Sequence, residues 1–209
     1  MRRAGLSLLL TLASCATPPA PGPWRELFDG ATTTGWAATN FGGEGEVAVI
    51  DGALELDFGS PLTGLTWTGE APRGAFDLEV TAARVDGTDF FCGLTFPVKG
   101  AHLTLVLGGW GGSLCGLSSL DGEDAANNDS RTLFSFENGR DYHILLRVRE
   151  GYVSASIDGA PLLNVPIAGR TLSLRPEVEL SCPLGIASFA TRARVQQIRW
   201  RPVIEAGDD

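Results

Sequence analysis

No stretch between Trp24 and Val203 keeps an apolar stripe at helical spacing for three turns, whereas alternating apolar runs broken by turn residues recur about every ten positions. A chain patterned this way buries its apolar side chains by pairing strands. Period-two alternation turns one face of each strand toward a core and the other outward. "VAVIDGALEL" (47–56) places Asp51-Gly52 between two apolar runs, and a two-residue hairpin turn needs positive φ at both central positions. "FDLEVTAARV" (76–85) puts Phe76, Leu78, Val80 and Ala82 on one face. "DFFCGLTFPV" (89–98) reads as a strand with Phe90, Cys92, Leu94 and Phe96 inward, and Asp89, Phe91 and Thr95 outward. "YHILLRV" (142–148) alternates likewise, and "YVSASIDGAPLLNV" (152–165) repeats the hairpin signature at Asp158-Gly159. In "ARVQQIRWRPV" (193–203) the apolar parity shifts between Val195 and Ile198, which predicts a bulge at the glutamines. The expected architecture is an all-β sandwich or jelly roll of two antiparallel sheets.

The opening "MRRAGLSLLLTLASC" has a basic start at Arg2 and Arg3 and an apolar run from Ala4 to Ala13. A helix spanning a bilayer needs ~20 residues, so this run fits the core of a secretory signal. Leu12-Ala13-Ser14-Cys15 resembles the lipobox of bacterial lipoproteins, which implies cleavage before Cys15 and lipid attachment to it. The alternative is a plain signal peptide with an incidental cysteine. "ATPPAPGP" (16–23), with four prolines in eight residues, is expected to be an extended tether. The boundaries are therefore a signal peptide over 1–14, lipidated Cys15 and tether over 15–23, a β-sandwich over 24–204 and a disordered tail over 205–209. The expected location is the cell envelope as a monomer. Ala16 lacks the aspartate that often retains lipoproteins at the inner membrane, so the outer membrane is favoured.

The formal charge is −9, and loss of Arg2 and Arg3 with the leader takes it to −11. A chain this acidic, with Lys99 as its single lysine, has no basic patch for nucleic acid and would be repelled by anionic lipid. With Cys15 assigned to lipid, Cys92, Cys115 and Cys182 allow at most one bridge and one buried thiol.

"LRPEVELS" (174–181) read as a strand puts Glu177 and Glu179 on one side, with Cα atoms ~7 Å apart. Two carboxyls at that order of separation can divide acid and base roles in sugar chemistry, and Arg175 shares their parity. Asp89 opposes an aromatic face and is a candidate base or a hydrogen-bonding partner for a hydroxyl. Glu70 stands near Trp67 after "LTWTG", a further candidate sugar contact with Phe91. In "LGGWGGSLCGL" (107–117), glycines flank Trp110 and leave it clear of neighbours, as a stacking plate for a sugar ring requires. The stretch is not a phosphate loop, having neither the lysine nor a helix. "DGEDAANND" (121–129) gathers Asp121, Glu123 and Asp124 with Asn127, Asn128 and Asp129, enough oxygens for a calcium ion but without EF-hand spacing. His102 and His143 are the only histidines, and no nucleophile elbow is present. Each candidate also has a plainer reading: the polar side of a strand, a surface turn, a core tryptophan or a solvated acidic loop.

"RELFDGATTTGW" (25–36) and "PLGIASFATRARVQQIRWRPV" (183–203) are similar to the opening and closing motifs of the 3-keto-disaccharide hydrolase domain family, through Leu27, Phe28, Asp29, Gly30, Gly35, Trp36 and the final strand. "DFFCGLTFPV" and "LVLGGWGGSLCGLSSLDG" (105–122) look like a subgroup of it. The resemblance spans about 24–203. It implies a concanavalin-like sandwich with one concave sheet, and cleavage of glycosides oxidised at the sugar 3-position. There the ketone acidifies the neighbouring C2 hydrogen, a base removes it, the glycosidic oxygen leaves and water adds. Many members carry Gln-x-His where this chain has Ala187, Ser188 and Phe189. An enzyme would use Glu177, Glu179 or Asp89 as base and Arg175 to stabilise negative charge. A binding module would grip glycan with Trp110, Trp67, Phe91, Glu70 or His102. A structural envelope protein would bind a protein partner and no sugar.

Overall fold

The computed structural model describes residues 20–204; the leader, Cys15, residues 16–19 and the tail 205–209 lie outside the described residues. Two antiparallel sheets face each other. Numbered along the chain, the back sheet runs β14 (Ala160–Pro166), β13 (Tyr152–Ile157), β12 (Tyr142–Val148), β7 (Phe76–Gly87), β16 (Thr191–Ile204), β5 (Ala53–Leu56), β4 (Val47–Ile50). The short strands β1 (Ala20–Pro21) and β2 (Arg25–Glu26) also pair with β16. The front sheet runs β11 (Thr132–Leu133), β10 (Leu114–Ser118), β9 (Ala101–Gly108), β8 (Cys92–Val98), β15 (Gly185–Phe189), β6 (Leu62–Trp67), β3 (Trp36–Ala38). Asp51-Gly52 and Asp158-Gly159 make tight hairpins with positive φ at both residues of each pair, as does Lys99-Gly100 between β8 and β9. The register of β16 against β7 slips between Val195 and Gln197, at the expected bulge.

Between the sheets, Phe76, Leu78, Val80 and Ala82 of β7 join Leu94, Phe96, Leu103 and Leu105 of β8 and β9 in one fully buried core. Each such leucine or phenylalanine contributes about 1.5–3 kcal/mol relative to exposure. The alternate residues of β7, Asp77 and Glu79, turn to the outer face of the back sheet. There Asp77 takes Arg149 at 2.6 Å and Arg201 at 2.9 Å, and Glu79 takes Arg199 at 2.8 Å. The Arg199 and Arg201 guanidiniums lie 4.6 and 4.4 Å from the Trp24 ring centre. The expected tether is shorter than its proline content implied: Ala20 and Pro21 pair with Ile204 and Val203, and the Gly22 N–H donates to Pro202 O at 2.7 Å.

The opening motif is built for packing. Leu27, Phe28 and Trp36 enter the core, and Trp36 Nε1 donates to Leu27 O at 2.8 Å. Asp29 accepts the Ala31 and Thr32 N–H groups, which hold its carboxyl below the ordinary carboxylate range. Gly35, at φ 82°, lies against the Trp67 ring, where a Cβ would come within 2.5 Å.

Two expectations need correcting. Residues 176–181 form a 3-10 helix rather than a strand, because Pro176 removes a ladder donor and opens a helical turn instead. The strand expected from Asp89 begins at Cys92, so period-two parity does not hold before it: Phe91 enters the core and Phe90 stays outside it. No disulfide forms among the described residues. Cys92 and Cys115 both pair with Leu107, from opposite sides, which sets them two strand spacings (~9.5 Å) apart and beyond bridging range.

Candidate functional site

The outer face of the front sheet carries a cavity. Leu62 of β6, Thr104 and Val106 of β9, Ser118 of β10 and Phe189 of β15 form its floor, and Phe90 and Val178 wall it. Asp89, Trp110, Arg175 and Glu177 supply its polar and aromatic rim, around a volume of about 240 Å³. That is below the ~300–1,000 Å³ of drug-sized pockets and suits a single ring. Two segments without strands, 119–131 and 171–182, cover the rest of this face. Val178, Leu174 and Phe41 pack on Leu62 and Ala187, and Ala125 packs on Val106 and Leu114. The front sheet admits them by being thin in places: a Cβ at Gly93 would stand 2.8 Å from the Phe90 ring, so only glycine lets that ring lie on β8.

The 119–131 segment, polar in sequence, is a fitted cap on β10. Buried Asn128 donates to Leu117 O at 2.8 Å and Glu123 O at 3.0 Å and accepts the Ser130 N–H at 2.9 Å. Ser130 Oγ in turn accepts the Leu117 N–H at 2.8 Å, closing the sheet edge.

Trp110 sits in the turn Gly109–Gly112 with φ 49° and ψ 52°, and its side chain is exposed at the cavity rim. A left-handed conformation costs a non-glycine residue of order 1–3 kcal/mol, so the surroundings must impose it. Arg84 does so from behind. Its buried guanidinium donates to Gly112 O at 3.0 Å, Phe136 O at 2.7 Å and Asn138 Oδ1 at 2.6 Å, and a Cβ at Gly112 would approach its Nη1 to 2.8 Å.

At the opposite rim Arg175 bridges two segments, donating from Nη1 to Asp124 Oδ2 at 2.7 Å and from Nε to Glu177 Oε1 at 2.5 Å. Asp89 is oriented by its own loop: Oδ1 accepts the Phe90 N–H at 2.8 Å, and its N–H donates to Thr191 Oγ1 at 3.1 Å. Among the described residues, Asp89 Oδ2 and Glu177 Oε2 have no hydrogen-bond partner.

The fold thus brings Asp89, Trp110, Arg175 and Glu177 together, and Phe90, Phe189, Leu62 and Val178 join them without having been singled out by sequence. The other candidates lie elsewhere. Glu179 is exposed and outside the cavity, since two steps along a 3-10 helix rotate a side chain by ~240° instead of returning it to the same face. Phe91 is fully buried against Phe136 and Tyr142. Trp67 packs edge-on to Trp36 at 5.2 Å and donates to Glu70 O, while the exposed Glu70 side chain faces Arg25 at 3.7 Å. His102 precedes Thr104 on the same strand face but lies outside the cavity lining, and burial lowers its pKa. His143 is on the back sheet, 3.1 Å from Glu79.

The acidic loop does not converge on a cation. Asp121 is taken by Arg170 and the Thr171 N–H, Asp124 by Arg175, the Ala126 N–H and Asn127, and Glu123 stays exposed. Among the described residues no group of three or more metal-ligating side chains is assembled, so the calcium expectation has no site there.

The class defined by this architecture is the concanavalin- or galectin-like β-sandwich. Among solved structures the chain is similar to a transglycosylase in complex with NAG, at 12% identity over 90% of this chain and 88% of that one, TM-score 0.58. It is also similar to a carbohydrate esterase from a Shiga toxin-encoding bacteriophage (13% identity, 86% and 99% covered, TM-score 0.58) and to a galectin-like protein of unknown function from Bacillus subtilis (14%, 89% and 97%, TM-score 0.57). At these identities the likeness establishes the fold alone. No family model and no curated protein matches the chain.

Proposed function

We propose that the groove binds one sugar unit of a glycan, with Trp110 stacking on the ring and Asp89 and Glu177 accepting hydrogen bonds from its hydroxyls. The observation that carries this is Trp110 itself: an exposed tryptophan, held by Arg84 in a left-handed turn, at the rim of an apolar cavity edged by carboxylates. An aromatic face against ring C–H groups and charge-assisted hydrogen bonds to hydroxyls are the two contacts a sugar offers. The fold neighbours named for carbohydrate chemistry support the same substrate class. Binding is favoured over hydrolysis by the floor. Phe189, where the resembling family carries its histidine, lines the cavity, and neither histidine does.

A hydrolytic reading retains one base. Asp89 faces the cavity with its charge paired to no arginine, whereas Glu177 is tied to Arg175. It would take the C2 proton of a 3-keto-glycoside as the C1–C2 double bond forms and the C1–O bond breaks. It would return that proton to the departing oxygen as the alcohol leaves, and water would then add across the double bond. Calorimetry on a glycan panel, run beside turnover of a chromogenic 3-keto-glucoside, separates the two. Binding without turnover supports the binding module, turnover lost in Asp89→Asn supports the hydrolase, and neither leaves a protein partner. We further propose that Cys15 carries a lipid anchor at the envelope, tested by globomycin-sensitive processing that Cys15→Ala abolishes.

A further inference from the structure

The charge around the groove narrows its ligand, an inference that rests on the sugar-binding reading above. Asp89 and Glu177 stand at this rim with one guanidinium, Arg175, which donates to Glu177 and, outside the lining, to Asp124. Arg175 thus divides its charge between two carboxylates and, among the described residues, keeps only Nη2 unengaged. Arg84 is behind the Trp110 turn and donates to neutral oxygens only, and His102 lies outside the lining. Asp89 keeps Oδ2 unpartnered beside the exposed Trp110, so the place where a ring would stack has an unneutralised carboxylate at its edge.

We propose that the groove selects an amino sugar, a glycan unit bearing a free ammonium, with its ring on Trp110 and its ammonium against Asp89. The ammonium gains a charge-assisted hydrogen bond in an apolar cavity and attraction to the indole face. A uronic acid or sulfated sugar would instead set its anion against Asp89 and Glu177, where the one cation in the lining, Arg175, is already shared by two carboxylates.

The test is titration calorimetry of the protein at about pH 6, below the ordinary range of a free amine. The probes are a β-1,4 glucosamine disaccharide, its N-acetylated form and the neutral glucose disaccharide of the same linkage. The expected result is about tenfold tighter binding of the ammonium-bearing disaccharide than of the neutral one. Asp89→Asn is expected to reduce that preference below about twofold by weakening the ammonium-bearing disaccharide more than the neutral one, and Glu46→Gln, at an exposed position before β4, to leave the preference intact. Equal affinity for all three probes overturns the inference, as does a preference that survives Asp89→Asn or that Glu46→Gln diminishes as much. If the neutral disaccharide binds, and Trp110→Ala abolishes that binding, sugar recognition stands while the ammonium preference falls. If none of the three binds, both fall.

Discussion

Replacing Arg84 with methionine tests whether the Trp110 turn is held from behind. Methionine keeps the length of the side chain and removes all three donors. Asn138 is exposed and regains water, but Gly112 O and Phe136 O are in buried residues and lose a partner. Each such loss costs about 1–3 kcal/mol, hence about 2–6 kcal/mol together. Part of this is offset, because a guanidinium no longer has to be stripped of water. The expected net destabilisation is about 2–4 kcal/mol, which for a chain of this size lowers Tm by about 5–15 °C. Urea unfolding followed by circular dichroism measures it, and glycan titration of the folded variant should show at least a fivefold loss of affinity. Arg84→Lys should recover little, since an ammonium cannot fork to three oxygens. A Tm within about 2 °C of the parent, or unchanged affinity in a folded variant, would refute the clamp.

Trp110→Ala should weaken sugar binding about tenfold or more, the worth of a lost aromatic plate of about 1–1.5 kcal/mol, while calorimetric unfolding stays cooperative. Asn128→Ala should destabilise the protein by about 2–3 kcal/mol by removing its bonds to Leu117 O, Glu123 O and the Ser130 N–H, read as a shifted urea midpoint without a changed slope. Burial pushes the Cys92 thiol up to about 12 and Cys115 up to about 11, from an ordinary 9.0. Both should resist thiol reagents in the native protein and react on unfolding. The folded state holds these protons more tightly than the unfolded chain. Their contribution is therefore intact below pH ~9 and is lost as pH rises through about 11 to 12, a decline that Cys92→Ala with Cys115→Ala should flatten in alkaline unfolding curves.

Much of the sandwich is legible in the one-dimensional pattern. Alternation of period two marks β7 and β12, the Asp-Gly pairs mark the β4–β5 and β13–β14 hairpins, and the slipped parity around the glutamines marks the bulge in β16. These are local consequences of side-chain direction and backbone sterics, so a window of ten residues holds them. The glycine setting of Trp110 is local in the same sense. Parity failed where the backbone left the strand: at Phe90-Phe91, two residues before β8 pairs, and at Pro176, where a missing donor turned an expected strand into a 3-10 helix and separated Glu179 from Glu177.

The groove itself belongs to the tertiary structure. Leu62, Val106, Ser118 and Phe189 come from four strands and are adjacent only because the front sheet places β10, β9, β8, β15 and β6 side by side. Arg175 finds Asp124 fifty-one positions away, and Arg84 finds Phe136 fifty-two away. Residue type cannot show which arginine will be buried beneath a turn and which will bridge two loops, because that depends on which segments the sheets bring within hydrogen-bond reach. Local sequence set the strands and the glycine setting of the tryptophan; long-range packing decided the arginine behind it and what stands around it.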